Sequence, residues 1–588
     1  MSSIDVNCRS AELSQAPNDR RGFALESTLL LLVLLGALVG VATAAAAVYT
    51  RTSGVDVRAA RVAYAAEGAG DQVMSQLDAA MSDGMITPGD ITGIATPAID
   101  GFTFTQTTNI VGTPTNRIIT RGAFAGLYAL EQPMRVRIDA ADANNNRAAV
   151  ELGVSVQAVP IFQFGVFYDR DLEINNGPPM TFIGWVHSNK SLYLSSANAN
   201  YLNQITAADS VFWSRKDVAT RLPGVNIANN ANTLVPLDFD SRSHAGASFV
   251  ARSNLRFNGK LMSRVSGVRP LKLPLPAAMD PRELVLPAAG TDTPDIAAVR
   301  MANKADLRIV VNLAAGITNA NFCSLATFFR APGRTPLGAA CGTIFRFEAD
   351  AFFDGRERLR PDMLQIDMEE LRNFVNINPA DRQVSIIYVE FQGRDAATSA
   401  RDYPALRLVN GHTLPDASVP GEPGGMTIVT NAHMYVRGDY NTVNWKPAAL
   451  IGDVTTFLSN AWNDAGTAPG VPIRTANATT VFAALLSGNS ETPCDARVCG
   501  GPQPYGGGLE NFPRFIENWV GRAFNYTGSL VSLFPSAQSG RPWANGFAYY
   551  GAPVRNWSFD TRFRDPMLLP PGTPRLGSVL QISYRNVF

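Results

Sequence analysis

The stretch RRGFALESTLLLLVLLGALVG, Arg20–Gly40, places two arginines, a glycine and a phenylalanine directly before a long apolar run. No charged residue occurs from Ser27 to Thr50, a span of 24 residues. At about 1.5 Å per residue, a helix of this length exceeds the roughly 30 Å hydrocarbon core of a membrane. It is also longer than the apolar part of a signal peptide. The run therefore predicts a membrane-spanning helix, with the carboxylate of Glu26 at one end.

Helical character continues beyond the apolar run. Residues 51–80 are rich in alanine, and no proline occurs between Phe23 and Pro88. Apolar residues recur there every three to four positions, at Val62, Ala65, Ala66, Ala69, Val73 and Leu77. Such spacing is typical of an amphipathic helix. The sequence predicts one helix from about Phe23 to Met81, apolar first and amphipathic later, within a segment 23–83.

A family resemblance follows from these features. Basic residues, a Gly-Phe pair, a nearby glutamate and an apolar run that continues into an amphipathic helix resemble a type IV prepilin. The stretches ALESTLLLLV and RAARVAYAAEGAGDQV are similar to PilX-like minor pilins. The resemblance implies a leader, residues 1–22, which a prepilin peptidase removes by cutting between Gly22 and Phe23.

The same resemblance gives Glu26 a role. In prepilins a glutamate at the fifth mature position helps to pair subunits in the filament core. Glu26 would be the fourth mature residue, so this sequence departs from the family by one position. The implied partners are the inner membrane and other pilin or pseudopilin subunits, which the N-terminal helix would contact. An uncleaved signal anchor is the alternative interpretation.

The pattern of apolar residues changes after Gly84. Residues 84–158 carry short apolar stretches separated by turn residues, which predicts a small β region. The segments Met134–Ala140 and Ala148–Val156 flank the turn sequence DANNNR and predict a hairpin.

From residue 159 to 588 the segments shorten, and one pattern occurs twice. Val186–Leu194 and Ile428–Val436 both match [IV]-x-[ST]-N-x-x-[LM]-Y-[VL]. Short strands that end at a turn-forming asparagine and repeat are typical of stacked coils. The fold class is therefore mainly β, with a right-handed parallel β-helix predicted for the exported domain. Further candidate strands are Asn254–Val265, Leu307–Gly316, Val384–Gly393, Leu406–Leu414, Thr480–Asn489 and Phe524–Phe534.

Interruptions of this pattern are visible. Six prolines within residues 268–296 predict an excursion from the stacked strands. The segment Arg360–Asn376 predicts a helix with Met363, Ile366, Leu371, Phe374 and Val375 on one apolar side. A second helix is predicted over Pro447–Trp462. The stretches FQFGVFYDRDLEINNGPPMTFIGWVHSNKSLYL and VRNWSFDTRFRDPMLLPPGTP also resemble large PilX-like proteins, which implies a shared architecture and no activity.

Five cysteines are present, and four of them follow the apolar run. They fall into two local pairs, Cys323 with Cys341 and Cys494 with Cys499, which favours two disulfides in an oxidising compartment. Free thiols and a zinc site remain as alternatives, although only four histidines are available and no second ligand pair lies nearby. We predict no metal and no cofactor.

Charge and motifs limit the possible functions. The chain has 50 basic and 50 acidic residues and no basic stripe, which argues against nucleic-acid binding. An anchored β-helical enzyme that degrades polysaccharides would need two carboxylates about 5–10 Å apart. The candidates are Glu510, Glu517, Asp560 and Asp565, beside Arg514, Arg555 and Arg562. We favour packing roles for these residues, and structural roles for His187, His433, Asn189 and Asn431.

The sequence therefore predicts a structural and interaction protein and not an enzyme. A membrane-anchored minor pilin or pilus-assembly protein would display a β-helical domain for filament priming, adhesion or surface interaction. It would be held in the bacterial inner membrane by a single N-terminal helix, with its body periplasmic or extracellular. A surface or polysaccharide ligand is a further expected partner. The alternative is an anchored β-helical protein that binds or degrades polysaccharide.

Overall fold

The structure is a computed structural model that describes residues 23–80, 86, 88–276, 279–330, 333–378, 381, 384–393, 403–416, 424–466, 474–541 and 550–587. The described chain is rich in strands and begins with one long apolar helix, as the sequence predicts. The expected leader, residues 1–22, lies outside the described residues, and so does Gly22, the residue expected to precede the cleaved bond.

Two helices and four strands form the first part of the described chain. The elements are α1 (Phe23–Ala80), the short α2 (Pro88–Gly93), β1 (Phe102–Ile110), β2 (Thr115–Ile118), β3 (Tyr128–Asp142) and β4 (Arg147–Pro160). The strands β3 and β4 form the hairpin expected from the sequence, with Ala140 opposite Ala148. In its turn, the carboxylate of Asp142 accepts from the backbone N–H groups of Asn144 and Asn146, both at 2.9 Å.

A first series of short strands follows directly. It comprises β5 (Phe164–Tyr168), β6 (Leu172–Ile174), β7 (Met180–Phe182), β8 (Trp185–Ser188), β9 (Leu192–Leu194), β10 (Ser196–Tyr201), β11 (Ile205–Ala207), β12 (Val211–Phe212), β13 (Pro223–Ala228), β14 (Leu234–Pro236), α3 (Ala247–Phe257) and β15 (Leu261–Met262).

A more irregular middle region separates the two series of strands. It comprises α4 (Pro294–Val299), α5 (Met301–Lys304), β16 (Leu307–Asn312), α6 (Phe322–Leu325), β17 (Thr327–Arg330), α7 (Cys341–Ile344), β18 (Phe345–Glu348), β19 (Pro361–Asp367) and α8 (Met368–Ile377).

A second series completes the body, and one strand ends the chain. The series comprises β20 (Ile386–Gln392), β21 (Tyr403–Val409), β22 (Met426–Thr430), β23 (His433–Arg437), β24 (Ala448–Gly452), β25 (Val454–Leu458), β26 (Thr479–Phe482), β27 (Ala484–Ser487), β28 (Ala523–Gly528), β29 (Leu530–Ser532) and β30 (Val554–Phe559). The last strand is β31 (Arg575–Val587).

The second half of α1 packs on an antiparallel sheet with the order β1–β3–β4–β31, and β2 pairs with the remaining part of β3. The helix contributes Val62, Ala66, Ala69, Val73 and Leu77 to their common core, all nearly inaccessible to solvent. We call α1 from residue 62 onward and this sheet the helix–sheet unit. Its core forms because the apolar stripe of an amphipathic helix must be removed from water.

The strands β4 and β31 connect this unit with the rest of the molecule. Val156 and Val579 pack in the core of the helix–sheet unit, whereas Val159 and Leu576 pack in a core of the body. Residues 161–574 are therefore inserted between β4 and β31. The sequence predicts one exported domain over 159–588, but the structure returns its last strand to the small sheet because β31 completes the ladder beside β4.

The body is dominated by parallel pairing. Its largest sheet has 11 strands in the order β15–β11–β8–β5–β29–β27–β24–β22–β20–β16–β17, and only β16 with β17 is antiparallel. The first series thus proceeds away from β5, and the second series returns toward it. The two series meet where β29 pairs with β5, with Val531 opposite Phe167.

Close contact between neighbouring strands requires glycine at one position. Gly184 precedes β8 and faces Gly165 of β5, where the register of the two strands shifts. An ideal Cβ on Gly184 would lie 2.5 Å from the Cα of Gly165, so a side chain would separate the strands. Glycine at this position therefore allows β5 and β8 to pair closely.

Two of the predicted helices are corrected by the structure. Pro361–Asp367 is strand β19, so Met363 and Ile366 belong to a sheet, and only the following Met368–Ile377 is helical. Pro447–Trp462 contains strands β24 and β25 instead of a helix. Pairing with neighbouring strands has overridden the local helical pattern in both places. The predicted strand Asn254–Val265 also begins with the end of α3.

The proline-rich segment 268–296 is an excursion in the structure too. In its described part the chain forms an isolated bridge between Lys272 and Gly577, a 3-10 turn at Pro281–Val285 and the start of α4. Leu271 and Leu284 are fully buried, so the excursion covers apolar surface of the body.

Candidate functional site: the exposed N-terminal helix

The first half of α1 is apolar on all sides and has no partner within the described chain. Each large apolar side chain from Leu25 to Tyr49 keeps at least 51% of its surface exposed. Within Leu25–Ala80, a window of 18 residues has a mean hydropathy of 2.6, and none of its residues is buried. Among the described residues, this is the one helix whose length and composition would allow it to cross a membrane. Such a helix is compatible with a membrane anchor or a signal sequence.

Polar side chains in this half form hydrogen bonds within the helix. The hydroxyl groups of Thr43 and Thr50 donate to the carbonyl oxygens four residues earlier, at 2.9 and 2.8 Å. The hydroxyl of Thr28 donates to the carbonyl of Leu25 at 3.0 Å. An unsatisfied hydroxyl is costly in hydrocarbon, so these internal bonds suit the helix to an apolar environment.

Glu26 lies in the first turn of α1, and its side chain is exposed. Phe23, the expected first residue after cleavage, is also the first residue of the helix. A negative charge in the first turn is favoured by the helix dipole.

The second half of α1 is fixed by polar contacts as well as by its core. The side chain of Gln76 exchanges hydrogen bonds with the backbone of Ala95, at 3.1 and 2.6 Å. The hydroxyl of Tyr584 in β31 donates to the Glu67 carboxylate at 2.7 Å. The apolar first half therefore extends from a firmly packed base.

The two histidines of the repeated pattern are buried structural residues. The His187 ring contacts the Thr206 hydroxyl at 2.7 Å and the Asn189 amide oxygen at 2.8 Å. Burial lowers the pKa of His187 to about 4. The His433 ring contacts the hydroxyls of Tyr403 and Thr456, both at 2.8 Å. Burial likewise lowers the pKa of His433, so both rings are neutral at pH 7.

The two asparagines of the repeated pattern each hydrogen-bond to the backbone of one distant residue. Asn189 accepts from the N–H of Leu271 and donates to its carbonyl, at 2.8 and 2.5 Å. Asn431 forms the same pair of bonds with the backbone of Phe391, at 3.0 and 3.1 Å. The sequence predicts stacked turn residues, and the structure adds that each side chain holds a peptide group of another segment.

The candidate catalytic carboxylates each have a separate partner. Glu517 accepts from the N–H and hydroxyl of Ser459, and Glu510 accepts from the hydroxyl of Tyr505. Asp560 forms two bonds with the Arg562 guanidinium, both at 2.8 Å, and Asp565 accepts from the N–H of Met567. Arg514 pairs with Glu357, and Arg555 donates to the backbone carbonyl of Glu510. Each of the four acids therefore has a hydrogen-bond donor of its own in the structure.

Comparison of the chain with protein-family models, with curated proteins and with solved structures finds no match.

The cysteines expected to pair are joined in the structure. Cys323 bonds to Cys341 with their Cα atoms 6.0 Å apart, and Cys494 bonds to Cys499 with theirs 6.3 Å apart. The remaining cysteine, Cys8, lies outside the described residues. Within the described part of the chain, no group of three or more histidine, cysteine or acidic side chains is arranged to hold a metal ion.

A buried carboxyl that the sequence analysis missed is Glu173 in β6. Burial raises the pKa of Glu173 to about 7, and contacts with Thr492 and Lys216 offset only part of that effect. Neither periodicity nor a motif marks this residue, because the groups around it, such as Thr492 and Glu510, are distant in the sequence.

Glu173 predicts a pH-dependent stability. A carboxyl whose pKa is raised on folding contributes its full stability below its unfolded pKa and loses it as the pH rises to about 7. We expect E173Q, which cannot ionise, to become more stable relative to the wild type by about 2–3 kcal/mol between pH 5 and pH 8. Urea unfolding at both pH values measures this difference. E369Q is the control, because the Glu369 side chain is half-exposed. An equal difference at both pH values for E173Q would contradict the prediction.

Proposed function

We propose that this chain is a membrane-anchored minor pilin or pilus-assembly protein, similar to the PilX-like group. Its N-terminal helix would be held in the bacterial inner membrane and then transferred to the helical core of a filament. Its body would remain periplasmic or extracellular and serve filament priming, adhesion or surface interaction.

One observation carries the proposal: a single helix changes from fully exposed and apolar to half-buried and amphipathic. The first half of α1 can serve either a membrane or a bundle of similar helices, because it is apolar on every side. The second half belongs to the core of the helix–sheet unit. A subunit whose anchor moves from lipid into a filament needs an exposed apolar half that can change surroundings and a second half that stays packed on its own domain.

For the body we propose a right-handed parallel β-helix. Three successive triplets of strands support it, because β5, β8 and β11 pair in parallel, as do β6, β9 and β12. The third strands, β7, β10 and β13, pair in the same way. Corresponding strands of consecutive triplets therefore stack, which is the pattern of a coil with three sides. Parallel crossover connections are almost always right-handed.

The point of insertion suits display of the body. The body begins after β4 and ends before β31, which are neighbouring strands of one sheet. An inserted domain with adjacent ends leaves its host unit intact. The helix–sheet unit can thus take part in assembly while the body extends from it.

Mass spectrometry of the mature N-terminus tests the proposal. We expect protein purified from membranes of a bacterium with a prepilin peptidase to begin at Phe23. G22V should retain Met1 because the residue before the cut would be wrong, whereas E26Q should still be cut. An intact Met1 in the wild type would contradict pilin processing and favour a signal anchor.

Glu26 gives the second part of this test. Cleavage after Gly22 would create a free amine at Phe23, which the Glu26 carboxylate of the same or a neighbouring helix can neutralise. We expect E26Q to be processed normally but to appear in sheared filaments at a lower level than the wild type. Equal recovery in filaments would show that Glu26 has no role in assembly.

A further inference from the structure

Two open cavities lie on either side of the segment that returns from the body to β31. The larger has a volume of about 450 Å³ and is bounded by the small sheet, the body and residues 566–575. The smaller has a volume of about 190 Å³ and is bounded by the proline-rich excursion and α5. Both are lined by Gly572, Thr573 and Arg575. We call the two cavities together the return groove.

Two positive side chains line the return groove. Arg575 contributes to both cavities and Lys304 to the smaller one, and both residues are exposed. In the part of the chain that the structure describes, neither side chain forms a hydrogen bond or ion pair. Partial desolvation of the ammonium by the groove, and then the nearby charge of Arg575, lowers the pKa of Lys304. Partial desolvation likewise lowers the pKa of Arg575.

Three acidic side chains on the adjoining segments have other partners. Asp306 accepts from the backbone N–H groups of Ser385 and Ile386 and from the Ser385 hydroxyl, each at 2.9 Å. Asp292 and Glu283 both pair with Arg300. The two cations of the groove thus remain available to a negatively charged ligand, whose binding would relieve their repulsion.

The remaining lining indicates the kind of ligand. Half-buried Tyr128 and the amide-bearing Asn116 line the larger cavity, and so does Ser385, whose hydroxyl donates to Asp306 and can still accept a hydrogen bond. Prolines in the return segment give the wall a restricted backbone. An aromatic ring can cover the apolar face of a sugar, while amide and hydroxyl groups bond its hydroxyls. A volume of 450 Å³ lies in the range of small-ligand sites.

We propose that the return groove binds a segment of an anionic polysaccharide, with Arg575 and Lys304 contacting its carboxylate or sulfate groups. The inference deepens the surface-interaction role proposed above and depends on that role only for its biological setting. The groove lies where body and helix–sheet unit meet, so a bound polymer would attach to the subunit beside its assembly region.

Binding of the detergent-solubilised full chain to immobilised polymers tests the proposal. We expect binding to polygalacturonate or to dextran sulfate at low salt, weakened at high salt, and none to neutral dextran. The two anionic polymers distinguish a carboxylate from a sulfate ligand. K304M with R575M should lower the affinity about tenfold or more, and K304M alone should lower it less.

Controls separate the groove from general charge. R147M removes an exposed cation at the opposite end of the β3–β4 hairpin and should leave the affinity unchanged. Polyglutamate should bind weakly; equal binding would indicate a peptide ligand and overturn the proposal. Wild-type affinity in the double variant, or no binding to either anionic polymer, would also overturn it. None of these results bears on where the mature N-terminus begins, so failure here is distinguishable from failure of pilin processing.

Discussion

A chain that ends at Pro574, and so lacks β31, is expected to lose the folded helix–sheet unit while the body retains its strands. This is the largest effect that we predict. β31 pairs with β4 along 12 residue pairs, from Arg575 with Pro160 to Val587 with Ala149. It also supplies Val579 to the core beneath α1.

The expected loss exceeds that of a single core substitution, because a whole strand and its buried side chains are removed together. Without β31, β4 would become an edge strand with a long row of unpaired backbone groups. Removal of Val579 would open the core of the helix–sheet unit, where truncation of one large apolar side chain already costs about 1–3 kcal/mol. A domain is stable by only about 5–15 kcal/mol.

Amide hydrogen exchange measures this outcome region by region. We expect the truncated chain to exchange rapidly in α1 from Val62 to Leu77 and in β4, while β22 and β24 remain protected. A chain that ends at Val587, and so lacks only Phe588, is the matched control and should resemble the wild type. Protection of β4 in the shorter chain would show that the sheet is complete without its last strand.

Replacement of Arg514 by methionine is expected to destabilise the body by about 3–5 kcal/mol. Its guanidinium lies 2.6 Å from the Glu357 carboxylate, and the side chains of the pair are only 4% and 3% exposed. Removal of Arg514 leaves the Glu357 carboxylate buried without its ion-pair partner. Burial already raises the pKa of Glu357, although Arg514 opposes the shift.

The pH dependence of the substitution follows from that pKa. Without Arg514, the pKa of Glu357 should rise further, and the carboxyl should become neutral in the folded state. The proton is then held more tightly in the folded than in the unfolded chain, so the loss of stability should be larger at pH 8 than at pH 5. Urea unfolding of the wild type and R514M at both pH values measures this.

Two further variants make the test specific. R514M with E357Q removes both charges and should recover a large part of the lost stability. R137M breaks an exposed pair with Asp139 on the small sheet and should change stability little. A loss in R514M that is independent of pH and unaffected by E357Q would show that Arg514 acts through packing alone.

Residues that form local patterns could be read from the sequence. The apolar run and the spacing from Val62 to Leu77 predicted α1, because a helix places its own neighbours in contact. The polar turn at Asp142 predicted the hairpin, because a hairpin pairs two strands that are adjacent in the sequence. The local pattern was less informative at Pro361–Asp367 and Ala448–Gly452, where partners in the sheet determined the structure.

The candidate sites show the same division. Glu26 could be selected from the sequence, since its position beside the apolar run is a local fact. The functions of Asn189 and Asn431 were only partly predictable, because the peptide groups that they hold belong to Leu271 and Phe391. Neither Glu173 nor Lys304 had a local signal, since their surroundings come from distant segments.

The sequence by itself determined the apolar helix, the change to an amphipathic second half and the strand-rich nature of the rest. These properties depend on side chains a few residues apart. Only the tertiary structure decided that β31 returns to β4, that β29 meets β5 and that the return groove forms beside residues 566–575. Short buried strands of valine, leucine and phenylalanine offer similar hydrogen bonds and apolar surfaces, so their composition does not identify a partner. The choice among them is made when the whole chain packs its core.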